Sequence, residues 1–205
     1  MSSLIKVDTA QLEALARRFG LAGEQVAKVQ SRAINRVAEK ANTRSRRAIV
    51  SQVALTDNYV RDRMSLSKAT ESRPVAVIAA RRRATTLATY GAKQITASAR
   101  RAKGDARRGI AAGRKQAGIS VLVGRAKGRK KMAGAFFMPL RAGNEAGGNG
   151  MGVFIRQGGT IVHKYGPSVD QVFRGVINDI VPDVTAELEI EMTRLAVLEV
   201  KKAIK

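Results

Sequence analysis

Residues 136–173 read FFMPLRAGNEAGGNGMGVFIRQGGTIVHKYGPSVDQVF, and the architecture follows from them. Two short apolar runs, residues 136–140 and 153–155, flank a glycine-dense connector over residues 143–152. Short hydrophobic runs bounded by Gly and Asn predict strands, and a flexible connector of this length lets them pair as a hairpin. Pro139 has no N–H for a ladder, which assigns its strand to a sheet edge or a bulge. Tyr165, Gly166, Pro167 and Ser168 then turn the chain sharply into a helix. Ser168 with Gln171 three residues on has the capping-box pattern, in which each side chain satisfies a backbone N–H left free by the first turn. Beyond it Val169, Val172, Phe173, Val176, Ile177 and Ile180 recur at the spacing of one buried helical face. The stretch is a joint between a sheet and a C-terminal helix.

The chain of 205 residues is long enough for a real core, and a single domain over residues 1–205 is the expectation. Hydrophobic residues make up 44%, which excludes wholesale disorder. Aromatics are 4% with no Trp, so the core must be built from Ala, Val, Ile and Leu. No run of about 18 apolar residues occurs, so no membrane span and no membrane partner is expected. The opening MSSLIK lacks the apolar core of a secretory signal. Without cysteine there is neither a disulfide framework nor a thiolate metal site.

Charge separates the chain into two parts. Residues 1–150 hold 31 Lys/Arg against 9 Asp/Glu, a balance of +22, whereas residues 151–205 hold 7 against 7. A strongly basic body joined to a neutral helical segment points to a polyanionic partner for the basic part. The alternative is a solvated, self-repelling surface.

Taken in order, residues 8–11 open a short helix with Leu12, Leu15 and Phe19 on one face, stopped by Gly20. A longer helix follows over residues 23–51, striped by Val26, Val29, Ala33, Val37 and Ala41 and carrying Lys28, Arg32, Arg36, Lys40, Arg44, Arg46 and Arg47 on its other faces. Thr56 caps a third helix over residues 57–64. Helix, turn and short basic helix have the outline of a DNA-reading helix-turn-helix, with Asn58, Arg61 and Arg63 facing base edges, or of an ordinary helical corner. Residues 73–80 (RPVAVIAA) predict a strand, and residues 85–90 an anchoring segment through Leu87 and Tyr90. Between residues 93 and 115 the chain is Arg, Lys, Ala and Gly with one acid, Asp105, which predicts a mobile arm or a loop that orders on a partner. Residues 118–124 (GISVLVG) predict a strand ended by glycine on both sides, and residues 125–131 a hairpin tip of five cations. Pro182 predicts a break between two C-terminal helices, 169–180 and 182–204. The plan is α+β: a small antiparallel sheet with basic loops over residues 74–165, packed with N-terminal helices (1–66) and a long C-terminal helical segment (167–205).

Catalytic chemistry finds little to work with. His163 is the sole histidine, and the nearby Ser168 and Asp170 belong to a helix cap. A zinc site of Cys and His is excluded, and neither GxxxxGK[ST] nor GxGxxG occurs in a phosphate-cradling context. The carboxylates of the last helix fall on mixed faces, as solvated acids do. No catalytic residue, metal or cofactor is expected. Nucleic-acid binding through the backbone fits better, because clustered cations on glycine-rich tips neutralise phosphate without reading sequence. Base-stacking platforms call for more exposed rings than the composition offers. A ribosome- or RNA-associated basic protein shares the composition, and a sequence-specific DNA regulator remains the other alternative.

Several segments in order resemble the phage minor tail protein Z family, the tail completion proteins of long, non-contractile-tailed phages. They are AINR at 33–36, residues 55–63, GISVLV at 118–123, AFF at 135–137, GVFIR at 152–156 and above all KYGPSV at 164–169. The resemblance spans roughly residues 25–200, with 100–115 and 143–150 as local expansions. It implies a structural virion component, assembled in the host cytoplasm, at the head-proximal end of the tail. It also implies a ring, commonly sixfold, contacting sibling subunits, the tail tube or tail terminator, and neck proteins. No active site comes with it. Joined to the charge distribution, it sets two expectations for site residues. Arg81, Arg82, Arg83, Arg100, Arg101, Lys103, Arg107, Arg108, Arg125, Lys127, Arg129, Lys130 and Lys131 contact phage DNA non-specifically from the ring lumen. Phe136, Phe137, Tyr165, Gly166, Pro167, Ser168 and Phe173 form a subunit interface or structural joint.

Overall fold

A computed structural model describes residues 23–140 and 150–203. The expected first helix over residues 8–19 and most of the glycine-rich connector lie outside the described residues. The chain divides into two compact units, the first drawn from residues up to Ile49, from Asp57–Arg82 and from Val169 onward, the second from Val50–Thr56 and Arg83–Ser168.

In the first unit, helix α1 (Gly23–Gln52) runs antiparallel to helix α3 (Val169–Ala203). Ion pairs give the direction: Lys28 meets Glu199 at 3.9 Å, Arg36 meets Glu191 at 3.4 Å, and Lys40 meets Glu187 at 3.8 Å, with Arg44 on the same Glu187. Glu187, Glu191 and Glu199 of α3 are therefore not the solvated acids that their sequence spacing predicts, whereas Asp179, Asp183 and Glu189 are exposed as expected. Beneath this ladder Ala33, Ile34, Val37 and Ala41 of α1 are buried, as are Val184, Leu188, Met192 and Ala196 of α3. Small alanines on α1 leave room for the larger side chains opposite.

Helix α3 also corrects the expected break. It is continuous through Pro182, which sits exposed inside it. Its buried positions Val172, Val176, Ile180, Val184, Leu188, Met192 and Ala196 recur every four residues. Four residues overshoot a 3.6-residue turn by about 40°, so the buried stripe winds around the helix and holds both sides of the proline to the core. Pro182 falls on the outer side, where losing one hydrogen bond is least costly.

The remainder of this unit is short. Helix α2 (Asp57–Arg61) has five residues, not the eight expected, because Met64 already starts strand β1 (Met64–Ser67). It pairs antiparallel with β2 (Val77–Ala80), so the expected strand over 73–80 forms only in its second half. The amide of Asn35 fixes the β1–β2 connection to α1 by donating to the Ala69 carbonyl at 2.9 Å and accepting from the Ala69 N–H at 2.7 Å.

Among the described residues the second unit holds three antiparallel sheets. Strand β3 (Thr85–Thr86) pairs with β10 (Tyr165–Gly166); β4 (Lys93–Ser98), β5 (Arg114–Val121) and β6 (Lys130–Met132) form one three-stranded sheet; β7 (Ala135–Pro139), β8 (Met151–Gln157) and β9 (Thr160–His163) form another. The β7–β8 hairpin forms as expected, and Pro139 ends an edge strand. The expected mobile arm over residues 93–115 is instead a β4–β5 hairpin whose connection contains a one-turn helix, Ala106–Arg108. Asp105 organises it, accepting from the Arg108 N–H and pairing with the Arg108 guanidinium at 3.1 Å. Gly118 does not start its strand but sits inside β5 at φ 117°, where a Cβ would lie 2.5 Å from the Met132 carbonyl oxygen. Tyr90, Ile119, Val121, Ala135 and Val153 are buried in this unit.

Candidate nucleic-acid interface

The expected DNA-contacting cations are all exposed, but hydrogen bonding sorts them into two groups. Some are fasteners of the fold. Arg125 donates to the Val50 carbonyl at 2.7 Å and the Val53 carbonyl at 3.2 Å. Arg129 donates to the Gly91 carbonyl at 2.6 Å and the Ser120 carbonyl at 2.9 Å. Arg108 is held by Asp105, and Arg82 lies 3.9 Å from the buried Asp170 carboxylate, which Arg174 also grips at 2.5 Å. The others, Arg81, Arg83, Arg100, Arg101, Lys103, Arg107, Lys127, Lys130 and Lys131, have no side-chain hydrogen bond or ion pair among the described residues. A guanidinium already spanning two carbonyls is poorly placed to follow a phosphate, whereas an unengaged one is free to do so.

The sheet β4–β5–β6 positions the free cations. Arg100, Arg101, Lys103 and Arg107 lie on the β4–β5 connection, while Lys127, Lys130 and Lys131 lie at or beyond the far end of β5. The eight residues of β5 keep these clusters roughly 25 Å apart at the rise of an extended strand. The structure therefore does not bring the two clusters together; it strings them along one sheet. Cross-strand register adds a residue that sequence reading missed. Lys93 and Lys131 both pair with Ser120, which sets two ammonium groups on one sheet face across a hydroxyl, and Lys115 follows on the same hairpin. Pairing register was the missing signal, since Lys93 and Lys131 are 38 positions apart in the chain.

Of the second set of expected residues, Tyr165, Gly166, Pro167 and Ser168 make the β10 turn, Phe136 and Phe137 lie on β7, and Phe173 lies on α3 of the first unit. Tyr90, fully buried, donates its hydroxyl to the Pro167 carbonyl at 2.6 Å. Its ring lies so close to Gly166 that a Cβ there would sit 2.5 Å from the Tyr90 Cε2 atom. Ser168 and Phe173 are buried, Phe136 and Phe137 partly so, and Tyr165 stands 53% exposed. Across this sheet a row of rings runs from Phe136 to Phe154 (6.3 Å between centroids), His163 (4.5 Å) and Tyr165 (4.2 Å). Gly152 makes room for it, because a Cβ there would lie 2.7 Å from both His163 Nε2 and a Phe154 ring carbon. Burial lowers the pKa of His163 and so favours the neutral imidazole, whose Nε2 has no hydrogen-bond partner among the described residues.

The helix-turn-helix outline is not realised. Asn58 and Arg61 lie on the five-residue α2, and Arg63 lies beyond it with its guanidinium 3.4 Å over the Tyr59 ring, occupied by its own chain. Among the described residues no group of three or more His, Cys, Asp or Glu could hold a metal ion, and no helix is long and apolar enough to cross a membrane. No curated protein and no solved structure matches the chain significantly. A family model for prophage minor tail protein Z (GPZ) matches residues 8–203, which takes in both units and the Tyr90-anchored turn, and the chain belongs to that family of phage tail proteins.

Proposed function

We propose that this tail protein acts at the head-proximal end of the tail, as a ring of sibling copies that completes the tail before the head joins. In this reading the ring is a hexamer seated between the tail tube or tail terminator and the neck proteins, and its lumen contacts the leading DNA end through phosphates. The observation that carries the DNA contact is the second unit's charge, 17 Lys/Arg against 2 Asp/Glu in sequence, with most of its exposed cations unengaged. Phosphate neutralisation needs that composition and no base-reading helix. Sibling packing is supported by α3, which leaves Ile190 68% exposed and Leu198 41% exposed while its other side faces α1.

The test is the salt dependence of DNA binding by the full chain, read beside its mass in sedimentation. Duplexes of unrelated sequence should bind equally, with affinity falling steeply as salt rises. Lys130→Glu with Lys131→Glu should flatten that slope and leave the melting temperature near wild type. Arg125→Ala or Arg129→Ala should instead lower the melting temperature, since each releases backbone carbonyls. A monomer at all concentrations, or a slope untouched by the lysine changes, defeats the proposal.

A further inference from the structure

The row of rings across β7, β8 and β9 has two unlike ends. At the Phe136 end the Arg156 guanidinium lies 6.0 Å from the ring centroid, so the chain caps its own stack with a cation. At the other end Tyr165 leans on His163 at 4.2 Å and leaves half its surface to solvent. Such an exposed ring is often a loose side chain. This one packs against the His163 ring, and the backbone beneath it is fixed on three sides. Tyr165 pairs with Thr86, the next residue Gly166 lies against the Tyr90 ring, and Pro167 accepts the Tyr90 hydroxyl. The ring is held in place before any partner arrives, so ordering it costs little on binding.

We propose that the open face of Tyr165 is a stacking position for one unpaired base of a DNA strand, extending the row by one ring. The inference rests on the reading that this unit binds DNA phosphate, and it adds a preference for single-stranded over duplex ends. Charge selects this occupant. Asp105 is the sole acid among the described residues of the unit, so a second copy of the same face would meet like charge whereas a polyphosphate would not. Lys164 adjoins the ring in sequence, and Arg83 lies three residues before Thr86, the register partner of Tyr165. Neither has a side-chain partner among the described residues, which leaves both free for the phosphates flanking a stacked base.

The experiment compares binding of the full chain to a labelled 12-nucleotide single strand and to the duplex of that sequence, at matched salt. Tyr165→Ala should weaken single-strand binding by about 5- to 100-fold, the reach of one base–aromatic stack, and leave duplex binding unchanged. Tyr165→Phe should keep the preference. Because Tyr165→Ala could disturb the turn, the wild-type chain is also photocrosslinked to a strand carrying 5-iododeoxyuridine, where the adduct should fall on Tyr165. Equal losses for both DNA forms, or adducts elsewhere, overturn the stacking position while leaving phosphate binding intact. A Tyr165→Ala protein that sediments lighter with an unchanged single-strand preference overturns it in favour of a contact between copies. Failure of the wild type to bind either DNA form at low salt removes the underlying reading as well.

Discussion

Tyr90 and Pro167, 77 residues apart in sequence, are joined by a hydroxyl-to-carbonyl hydrogen bond of 2.6 Å beneath a glycine that has no room for a side chain. One buried tyrosine thus fixes the β10 turn of the second unit. Tyr90→Phe keeps the ring and strands the Pro167 carbonyl, so it should cost about 1–2 kcal/mol in chemical denaturation. Gly166→Ala should cost more, because the added methyl must displace a packed ring and not a flexible chain end. If alanine at position 166 is tolerated as well as phenylalanine at position 90, the turn is not held by this contact.

A second long-range anchor lies in the first unit. The Asn35 amide serves the Ala69 backbone as a strand neighbour would, one bond in each direction. Asn35→Asp keeps the acceptor and loses the donor, leaving a partly buried carboxylate facing a carbonyl oxygen. It should destabilise by about 1–3 kcal/mol, and more at neutral pH than near pH 3, where the acid is protonated and can donate again. Asn35→Leu should destabilise equally at both pH values. Equal losses for the aspartate variant at the two pH values would falsify the donor role.

These two contacts show what the sequence could and could not disclose. Residues carrying local pattern were legible: the long α1, the β7–β8 hairpin, the turn at Pro167 and the α+β plan all follow from spacing and turn chemistry. Tyr90 is buried as its expected anchoring role requires, but its bond to Pro167 and the pairing of Asn35 with Ala69 were not legible, because each partner lies tens of positions away and no periodicity encodes it. The segment over residues 93–115 failed for a different reason. Its composition is that of a solvated arm, yet pairing of β4 with β5 supplies order through backbone hydrogen bonds that side-chain hydropathy does not report. The candidate site was half legible for a like reason. Composition marks a cation but not whether its guanidinium is already committed, as Arg125 and Arg129 are.

Acid should act on the two units through different groups. In the first, the hydrogen bond from Arg194 lowers the Glu191 pKa, with burial opposing it and the charges of Arg194, Arg36 and Lys40 assisting. A carboxyl with a lowered folded pKa contributes stability above its unfolded value and loses it as pH falls through the folded value. Stability should therefore decline below about pH 4.5, and Glu191→Gln should be less stable at pH 7 with a flatter acid limb. In the second unit, burial lowers the pKa of His163, so the unfolded chain binds its proton first. Stability should begin to fall as pH drops below about 6.5, and His163→Phe should remove that portion of the loss while keeping a ring in the row. An unchanged profile between pH 7 and 5 in the His163→Phe variant would place the loss elsewhere.

Pro182 offers the most direct test of how α3 is held together. A proline in a helix interior withdraws one donor and crowds the preceding turn, at a cost of about 3 kcal/mol relative to alanine in an unsupported helix. Here the helix persists because the four-residue stripe from Val172 to Ala196 stays buried on both sides of it. If packing alone overrides the proline, Pro182→Ala should stabilise the chain by about 1–3 kcal/mol and raise the melting temperature. The alternative is that a bend at Pro182 is needed to carry the winding stripe across its neighbours. A straightened helix would then misplace Val184 and Leu188, and Pro182→Ala would lower the melting temperature instead. Leu188→Ala supplies the scale for that outcome, since truncating a buried leucine costs about 2–5 kcal/mol. Gain at position 182 with loss at position 188 is the expected pair, because only the second side chain is packed.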